Sequence, residues 1–325
     1  MLVPKPWGAR RLERFGRALP PGARIGESWE VADLPAAASS GLAEPVTRVA
    51  AGRFAGWTLQ EVIAHDRAGL LGDAPDLDGR FPLLVKLLDV GEPLSVQVHP
   101  PAAYVAEHPE AVHKTETWVV LDAEPDAELM LGLAEGVTVA DVRAAAGTPA
   151  VTRLLHRVAA RPGAVHHVPA GTVHAAGAGV VLAEVQTPSD TTFRLYDWIE
   201  ELGRAPRDLH LDQAVRALEL AAPPPGPPAA PEGVHLPLAT PHYHLDRRHL
   251  DADAEVAVPA GQLRIVQVLD GELAGDGLGG TLRAGGTVLL PAAWTGTLRS
   301  VGGCTWLETT LPARRGGTGD ADADG

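Results

Sequence analysis

The sequence contains 325 residues, of which 45% are hydrophobic and 21% are charged. A chain of this length and composition can bury one large core or two modest ones, which excludes an intrinsically disordered protein. The net charge is −14, and no basic run is longer than a pair of residues. Binding to nucleic acid or to an anionic membrane surface is therefore not expected, because phosphate-rich surfaces require clustered lysine and arginine.

Apolar runs in the sequence are short, and the run at 81–88 is interrupted by Lys86. A membrane-spanning helix needs about 20 apolar residues, so none is predicted. The N-terminal 16 residues contain no apolar stretch of signal-peptide length, and the single cysteine, Cys304, cannot form an internal disulfide. These features favour a cytoplasmic protein.

Local patterns predict the elements in chain order. Residues 1–53 are predicted to be loop-like, with short strand candidates that include 26–31. Thr58 and Glu61 have the spacing of a capping box, which predicts a helix from Thr58 to about residue 71. The runs LLVKLLDV, LSVQVHP and KTETWVVL, which follow Pro82, are typical of short strands. A helical segment is predicted at 137–160, and strands resume at 164.

A proline-rich connector indicates the domain boundary. The last predicted helix, 211–220, precedes APPPGPPAAPEG, which is typical of a semi-rigid linker. The predicted organisation is a catalytic domain at 1–222 with a helical insertion at about 135–160, a linker at 223–233, a second domain at 234–313 and a disordered tail at 314–325.

Two segments of the chain resemble each other. Both 160–185 and 282–309 contain an arginine, a glycine turn, an apolar strand, a proline, a turn of small residues and a strand that ends in glutamate. When Pro169 is aligned with Pro291, His174 lies opposite Gly296. The repeat predicts a mainly β fold of two antiparallel jelly-roll (cupin) barrels, of which the second has lost its metal-binding histidine.

Polar residues alternate along two of the predicted strands. Ser95, Gln97 and His99 share one face of the first strand, and Lys114 and Glu116 share one face of the second. Ser95 is included among the candidate substrate contacts. Two neighbouring strands of one barrel would therefore present these polar groups to a common space.

A further histidine, His174, lies at the start of a later strand, after PAGTV. A set formed by His99, Glu116 and His174, with a possible oxygen from Gln97, is a nitrogen and oxygen site suited to Zn²⁺, Mn²⁺, Fe²⁺ or Ni²⁺. Four histidines are assigned packing or surface roles: His166, His167, His242 and His244.

These residues lie in an ordered set of motifs. The segments are PKPWGARRL, IGESWEVAD, FPLLVKLLDV, LSVQVHP, HKTETW, PAGTVHA and EVQTPSDTTFRLYDW. In this order they resemble the type I mannose-6-phosphate isomerase family, and the similarity extends over most of residues 3–312. The short length indicates its compact bacterial branch. The resemblance implies a zinc-dependent aldose-ketose isomerase that interconverts mannose 6-phosphate and fructose 6-phosphate.

The resemblance also implies roles for individual residues. Its zinc ligands match His99, Glu116 and His174, and Gln97 matches a fourth ligand of longer relatives. The essential arginine matches Arg194. Lys86 and Lys114 match site lysines, and His113 and Glu184 match proposed acid/base or substrate-contacting positions. Longer relatives carry a further lysine after the YDW segment, which this chain lacks.

The chemistry of such an isomerase requires a base, because a proton must move between C1 and C2 of an open-chain sugar. Glu184 is the first candidate, since it shares a strand face with Val180, Leu182 and Gln186; Lys114 and His113 are alternatives. The second repeat also carries a glutamate, Glu308, so a structural role for Glu184 stays open.

Arg194 is expected to share a face with Thr192 and Tyr196 and to bind an oxyanion or phosphate through its guanidinium. The expected ligands are one Zn²⁺ per chain and a phosphorylated hexose, and the expected state is a monomer or weak homodimer. Two alternatives use the same fold: an Fe²⁺-dependent oxygenase and a non-catalytic sugar-binding cupin.

Overall fold

A computed structural model describes residues 1–35, 42, 44–219 and 238–313. The predicted linker at 223–233 and the tail at 314–325 lie outside the described residues. The domain boundaries therefore stay predictions.

The described residues form eighteen strands. They are β1 (Leu2–Ala9), β2 (Ile25–Val31), β3 (Leu84–Val90), β4 (Val96–Val98), β5 (Glu116–Ala123), β6 (Glu128–Leu133), β7 (Leu155–Ala159), β8 (Val165–Val168), β9 (His174–Ala176), β10 (Val180–Gln186), β11 (Phe193–Tyr196), β12 (Leu238–Ala239), β13 (His244–Leu250), β14 (Glu255–Val258), β15 (Arg264–Gly275), β16 (Leu282–Arg283), β17 (Thr287–Leu290) and β18 (Gly296–Thr310).

Five α-helices are described: α1 (Leu59–Leu71), α2 (Ala102–Glu107), α3 (Val139–Ala145), α4 (Ile199–Leu202) and α5 (Leu211–Ala217). The predicted capping box of α1 is confirmed, because the Thr58 hydroxyl accepts from the Glu61 amide at 3.2 Å and the Glu61 carboxylate accepts from the Thr58 amide at 2.7 Å. Among the described helices, none is both long and apolar enough to cross a lipid bilayer.

Two antiparallel sheets of the N-terminal part pack face to face. One has the strand order β1-β2-β3-β10-β5-β8 and the other β11-β4-β9-β6-β7. Their inner faces contribute to one apolar cluster, which includes Leu88, Trp118 and Leu182 from the first sheet and Leu129 and Ala176 from the second. The space between the sheets is filled by alternate residues of each strand, as in a double-sheet β fold.

A third sheet forms the C-terminal part. Its strand order is β12-β13-β18-β15-β16, with β14 paired to β18 and β17 paired to β15. One face of this sheet encloses its own core around Val266, Leu298 and Trp306. The opposite face contributes Ile265 and Leu307 to the large cluster that also includes β3 and β10. The mainly β, antiparallel architecture is confirmed, and the division into two barrels stays a prediction.

The element prediction is wrong in one place and incomplete in another. Residues 155–159 form strand β7 instead of continuing a helix, because Val158 and Arg157 pair with Leu129 and Met130 of β6. Residues 2–9 form strand β1 instead of a loop. Two prolines hide this strand from the pattern, and they are accommodated because β1 lies at a sheet edge.

The two copies of the internal repeat each form a pair of consecutive strands. In the first copy β8 is followed by β9, which begins at His174, and in the second copy β17 is followed by β18, which begins at Gly296. A Cβ atom at Gly296 would lie 2.7 Å from a ring carbon of Trp294. The indole therefore occupies the space that a histidine would need.

Candidate active site

Strand register aligns a row of polar residues within each of the two facing sheets. In one sheet Arg194 of β11 pairs with Gln97 of β4, which pairs with His174 of β9. In the other, Glu184 of β10 lies between Lys86 of β3 and Trp118 of β5. Neighbouring strands are about 4.8 Å apart, so each row places its side chains side by side.

The centre of the site is a buried triad of His99, Glu116 and His174, each at most 1% exposed. His99 Nε2 lies 3.3 Å from one Glu116 carboxylate oxygen, and His174 Nε2 lies 3.2 Å from the other. Within the part of the chain that the structure describes, this is the one cluster of three such side chains close enough to share a metal ion.

Hydrogen bonds to backbone carbonyls determine which ring nitrogen of His99 and of His174 carries a hydrogen. His99 Nδ1 lies 3.0 Å from the Thr191 carbonyl oxygen, and His174 Nδ1 lies 2.9 Å from that of Thr172. A carbonyl oxygen only accepts, so each Nδ1 carries the hydrogen and each Nε2 presents a lone pair. Both lone pairs therefore face the Glu116 carboxylate.

The pKa shifts of His99 and Glu116 agree with this placement of hydrogens. Burial, together with the nearby Lys114 ammonium, lowers the pKa of His99 to about 3, so its ring is neutral at pH 7. Burial would raise the pKa of Glu116, but the Lys114 ammonium holds it well below its ordinary value. Lys114 Nζ lies 3.0 Å from a Glu116 oxygen. The triad thus contains a carboxylate beside the neutral imidazole of His99.

Such a triad fits a divalent metal ion. Among the described residues, His99 Nε2 and both Glu116 oxygens are buried and form no hydrogen bond, although the Lys114 ammonium lies 3.0 Å from one of these oxygens. The separations of 3.2 and 3.3 Å are close to the spacing, about 3.4 Å, of ligand atoms bonded at 2.0–2.1 Å to a tetrahedral zinc ion. A cation among these atoms would compensate the two lone pairs and the negative charge.

Gln97 lies beside the triad. Its Nε2 is 3.1 Å from His174 Nε2, and its Oε1 accepts from the Ser95 hydroxyl at 3.1 Å. The Ser95 contact confirms that Ser95 and Gln97 share one face of this strand, as predicted.

A second buried network lies in the opposite sheet. Lys86 Nζ lies 3.1 Å from a Glu184 oxygen and 3.9 Å from a Glu27 oxygen. Trp118 Nε1 donates to the other Glu184 oxygen at 2.9 Å, and Trp29 Nε1 donates to Glu27 at 2.6 Å. Each carboxylate therefore has both an ammonium and an indole donor.

The charges in this network shift the pKa values of its members. Burial alone would lower the pKa of Lys86, but the carboxylates of Glu184 and Glu27 raise it above its ordinary value. Burial raises the pKa of Glu184, and Lys86 opposes that shift. The result is a charged lysine beside a glutamate that binds a proton more readily than an exposed one.

A cleft with about 510 Å³ of empty space, counting its open mouth, lies between the two networks. Gln97 and Lys114, which contact the triad, line it, whereas the three triad residues lie behind this lining. The cleft contains all three lysines of the chain. Its charged lining residues are Lys5, Lys86, Lys114, Arg194, Arg207, Glu27, Glu184 and Asp190, and Ser95, Gln97 and Thr192 are among the others. Five cations against three carboxylates give the cleft a positive excess in a chain whose net charge is −14.

The structure separates some predicted residues from this cleft. His113 is not among the lining residues, and its ring lies 5.3 Å from that of His242. Tyr196 was expected on the face of Arg194, but an irregularity in β11 pairs it with Val96 and turns it into the apolar cluster behind the sheet. The prediction that Arg194 and Tyr196 share a strand face is wrong.

Several residues of the site were not singled out from the sequence, among them Lys5, Glu27, Trp29, Trp118, Asp190 and Arg207. Glu27 and Trp29 lie in the motif IGESWEV, where a glutamate within an otherwise strand-like run was an available signal. Lys5, which lies 3.3 Å from Glu27, is one of only three lysines. Arg207 carried no signal in an arginine-rich chain.

The sequence of this chain is similar to those of known proteins. Residues 9–140 match the model of the catalytic domain of type I phosphomannose isomerase. Mannose-6-phosphate isomerase of Bacillus subtilis is 38% identical over 217 residues, which is 66% of this chain and 64% of that protein. Mannose-6-phosphate isomerase of Streptococcus mutans is 36% identical over 228 residues, which is 69% of this chain and 68% of that protein. The chain belongs to the type I phosphomannose isomerase family.

Solved structures agree with membership in the phosphomannose isomerase family. The mannose 6-phosphate isomerase from Bacillus subtilis superposes with a TM-score of 0.77 at 27% identity, covering 95% of this chain and 97% of that one. A mannose 6-phosphate isomerase bound with zinc and yttrium superposes at 0.70 and 17% identity, covering 96% of this chain and 97% of that one, and shows the shared fold alone. The resemblance seen in the ordered motifs is thus confirmed.

The indole of Trp118 provides a test of the buried network in this family member. Replacing Trp118 with Phe keeps an aromatic ring but leaves a Glu184 oxygen without its donor. We expect a loss of roughly 1–3 kcal/mol in the free energy of unfolding, measured by urea denaturation. The matched control is Trp57→Phe, since Trp57 is 37% exposed. Equal effects of the two substitutions would contradict the role of the buried donor.

Proposed function

We propose that this protein is a zinc-dependent aldose-ketose isomerase that interconverts mannose 6-phosphate and fructose 6-phosphate. The observation that carries the proposal is a buried His, Glu, His triad at a cation-rich cleft, in a chain that belongs to the phosphomannose isomerase family. The triad suits a divalent metal, and the positive excess suits an anionic sugar.

We assign His99, Glu116 and His174 as the metal ligands. Two imidazoles and one carboxylate are ligand types that zinc accepts, and three protein ligands leave a position open. A zinc ion held there would supply Lewis acidity that stabilises negative charge on the sugar oxygens.

Gln97 is the proposed fourth ligand. Rotating its amide by 180° would turn Oε1 toward the triad and let Nε2 donate to the Ser95 hydroxyl. A serine hydroxyl both donates and accepts, so the Ser95 contact of 3.1 Å would be kept with its direction reversed. Ser95 would then orient Gln97 and line the substrate cleft.

Glu184 is the proposed base. It would accept the proton from C2 of the open-chain aldose and return it to C1, while a hydroxyl proton moves from O2 to O1. The carbonyl group then lies at C2, which is the ketose. Trp118 and Lys86 hold the two Glu184 oxygens at 2.9 and 3.1 Å, so the carboxylate is oriented before substrate binds.

The three cations nearest these groups have distinct proposed roles. Lys86 orients Glu184 and contacts substrate, Lys114 lies beside Glu116 as a second acid/base candidate, and Arg194 binds the substrate anion. His113 is left out of the reacting groups because it does not line the cleft. The expectations of a cytoplasmic location and of a monomer or weak homodimer stay predictions.

The proposed activity is tested by a coupled assay of mannose 6-phosphate conversion to fructose 6-phosphate. The chelated protein should be inactive, and activity should return when Zn²⁺ is added. Absence of metal-dependent turnover would refute the isomerase; if sugar phosphate still bound, a non-catalytic sugar-binding protein would be favoured instead.

The ligand assignment is tested by His174→Ala. Removing this imidazole should eliminate the bound metal, which elemental analysis of the purified protein measures, and activity should be lost with it. His242→Ala is the matched control and should retain both, because His242 lies outside the triad. Full metal content in the His174 variant would show that the assignment is wrong.

The base is tested by Glu184→Gln. The variant should bind metal normally and lose roughly 10²- to 10⁴-fold in kcat, since the amide cannot accept the C2 proton. Glu308→Gln, the corresponding change in the second repeat, should leave kcat unchanged. In the wild type, kcat/KM should fall as pH decreases through the pKa of Glu184, at a midpoint above the ordinary value of 4.5. Unchanged kcat in the Glu184 variant would exclude it as the base.

A further inference from the structure

A second cavity lies in the C-terminal part of the protein. It has about 2340 Å³ of empty space, counting its open mouth, against about 510 Å³ for the cleft of the active site. Strands β13, β14, β15 and β18 supply most of its wall, and Leu121 and Pro162 of the N-terminal part contribute to it. Among the described residues, none lines both spaces. The cavity is therefore separate from the active site.

Positive and negative side chains are balanced in the lining of this cavity. Apart from His249, its charged lining residues are three arginines and three acidic residues, namely Arg247, Arg248, Arg264, Asp251, Asp270 and Glu308. The active-site cleft instead has five cations against three carboxylates. Because a binding site and its ligand have complementary charge, the cavity suits a ligand without net charge.

Glu308 lies between two arginines on the cavity wall. One of its carboxylate oxygens is 3.5 Å from Arg248 Nη2 and 3.8 Å from Arg264 Nε. Arg264 Nη1 also donates to the Pro259 and Gln262 carbonyls, at 3.1 and 3.0 Å, which holds its guanidinium in place. The wall therefore presents a carboxylate acceptor and guanidinium donors side by side.

The indole of Trp306 adds a further donor to this wall. Trp306 pairs with Arg248 in the strand register, and Glu308 lies two residues further along the same strand, so the three side chains share one face of the sheet. Trp306 is 2% exposed, and among the described residues its Nε1 is buried without a hydrogen-bond partner. An unpartnered buried N–H group is costly, and an acceptor in the cavity would satisfy it.

Vicinal hydroxyl groups match this set of donors and acceptors. A hydroxyl donates one hydrogen bond and accepts two, so one hydroxyl can donate to Glu308 while its neighbour accepts from a guanidinium or from the indole. Hydrogen bonds to such charged groups are stronger than those between neutral groups. Leu250 and Val258 give the lining an apolar part, which suits the C–H groups of a pyranose ring.

We propose that this cavity is a second carbohydrate site, which binds a neutral hexopyranose unit through Glu308, Arg248, Arg264 and Trp306. The repeat that forms it has Gly296 in place of the triad histidine, and all three lysines of the chain line the other cleft. The second site therefore binds sugar without converting it. This inference goes beyond the proposed isomerase activity and does not depend on it.

The test uses the full chain and methyl α-D-mannopyranoside, which carries no phosphate and whose ring cannot open. An NMR titration of the wild type should give a dissociation constant on the order of 1 mM, which is typical of a small neutral ligand. Trp306→Phe removes the indole donor and Arg248→Leu removes a guanidinium. Each should raise the dissociation constant roughly 3- to 10-fold, the effect of one lost hydrogen bond.

Trp294→Phe and Arg299→Leu are the matched controls, since both residues lie in the C-terminal part and neither lines the cavity. The two control variants should bind the glycoside as the wild type does. If Trp306→Phe does not fold, as judged by circular dichroism, Arg248→Leu decides the question, because the Arg248 side chain is 41% exposed and its removal leaves the core intact.

Three outcomes would overturn the second carbohydrate site. The first is the absence of saturable glycoside binding by the wild type. The second is equal binding by the wild type and the two cavity variants, which would place the glycoside elsewhere on the protein. The third is an equal loss in the cavity variants and in the controls, which would show that the loss does not arise in the cavity.

Discussion

The arrangement of this protein depends on one buried anion, the Glu116 carboxylate. Removing a carboxylate from water costs several kcal/mol unless positive charge or hydrogen bonds compensate it. Lys114 supplies part of that compensation at 3.0 Å, while His99 and His174 turn lone pairs, not hydrogens, toward the same oxygens. The remaining compensation fits a metal cation. The two facing sheets bring these four side chains together from three segments of the chain, at 99, 114–116 and 174.

The same electrostatic requirement explains the distribution of lysine. The chain has a net charge of −14 and only three lysines, yet all three line one cleft. Lys86 stays charged in a buried position because Glu184 and Glu27 accompany it, and Lys5 lies against Glu27. Acidity is therefore a property of the whole chain, whereas the cleft has a local positive excess that suits a phosphorylated sugar.

The second repeat shows that the fold alone does not carry the chemistry. Gly296 replaces the triad histidine, and Trp294 fills the space beside it. Glu308 has its carboxylate 3.5 Å from Arg248 and 3.8 Å from Arg264, away from the cleft that contains Glu184. The strand pattern of β17 and β18 is kept because apolar alternation maintains a core, while the site residues are free to change.

The amino-acid sequence by itself determined the β-rich architecture, the faces of β4 and β5 and the composition of the triad, because these depend on alternation along single strands and on ordered motifs. The tertiary structure alone decided which distant residues meet. Strand β7 exists through pairing with β6, Tyr196 leaves the site face through an irregularity in β11, and Arg207 reaches the cleft through Asp197. Each of these depends on contacts between segments far apart in the chain, and a local pattern carries no information about such contacts.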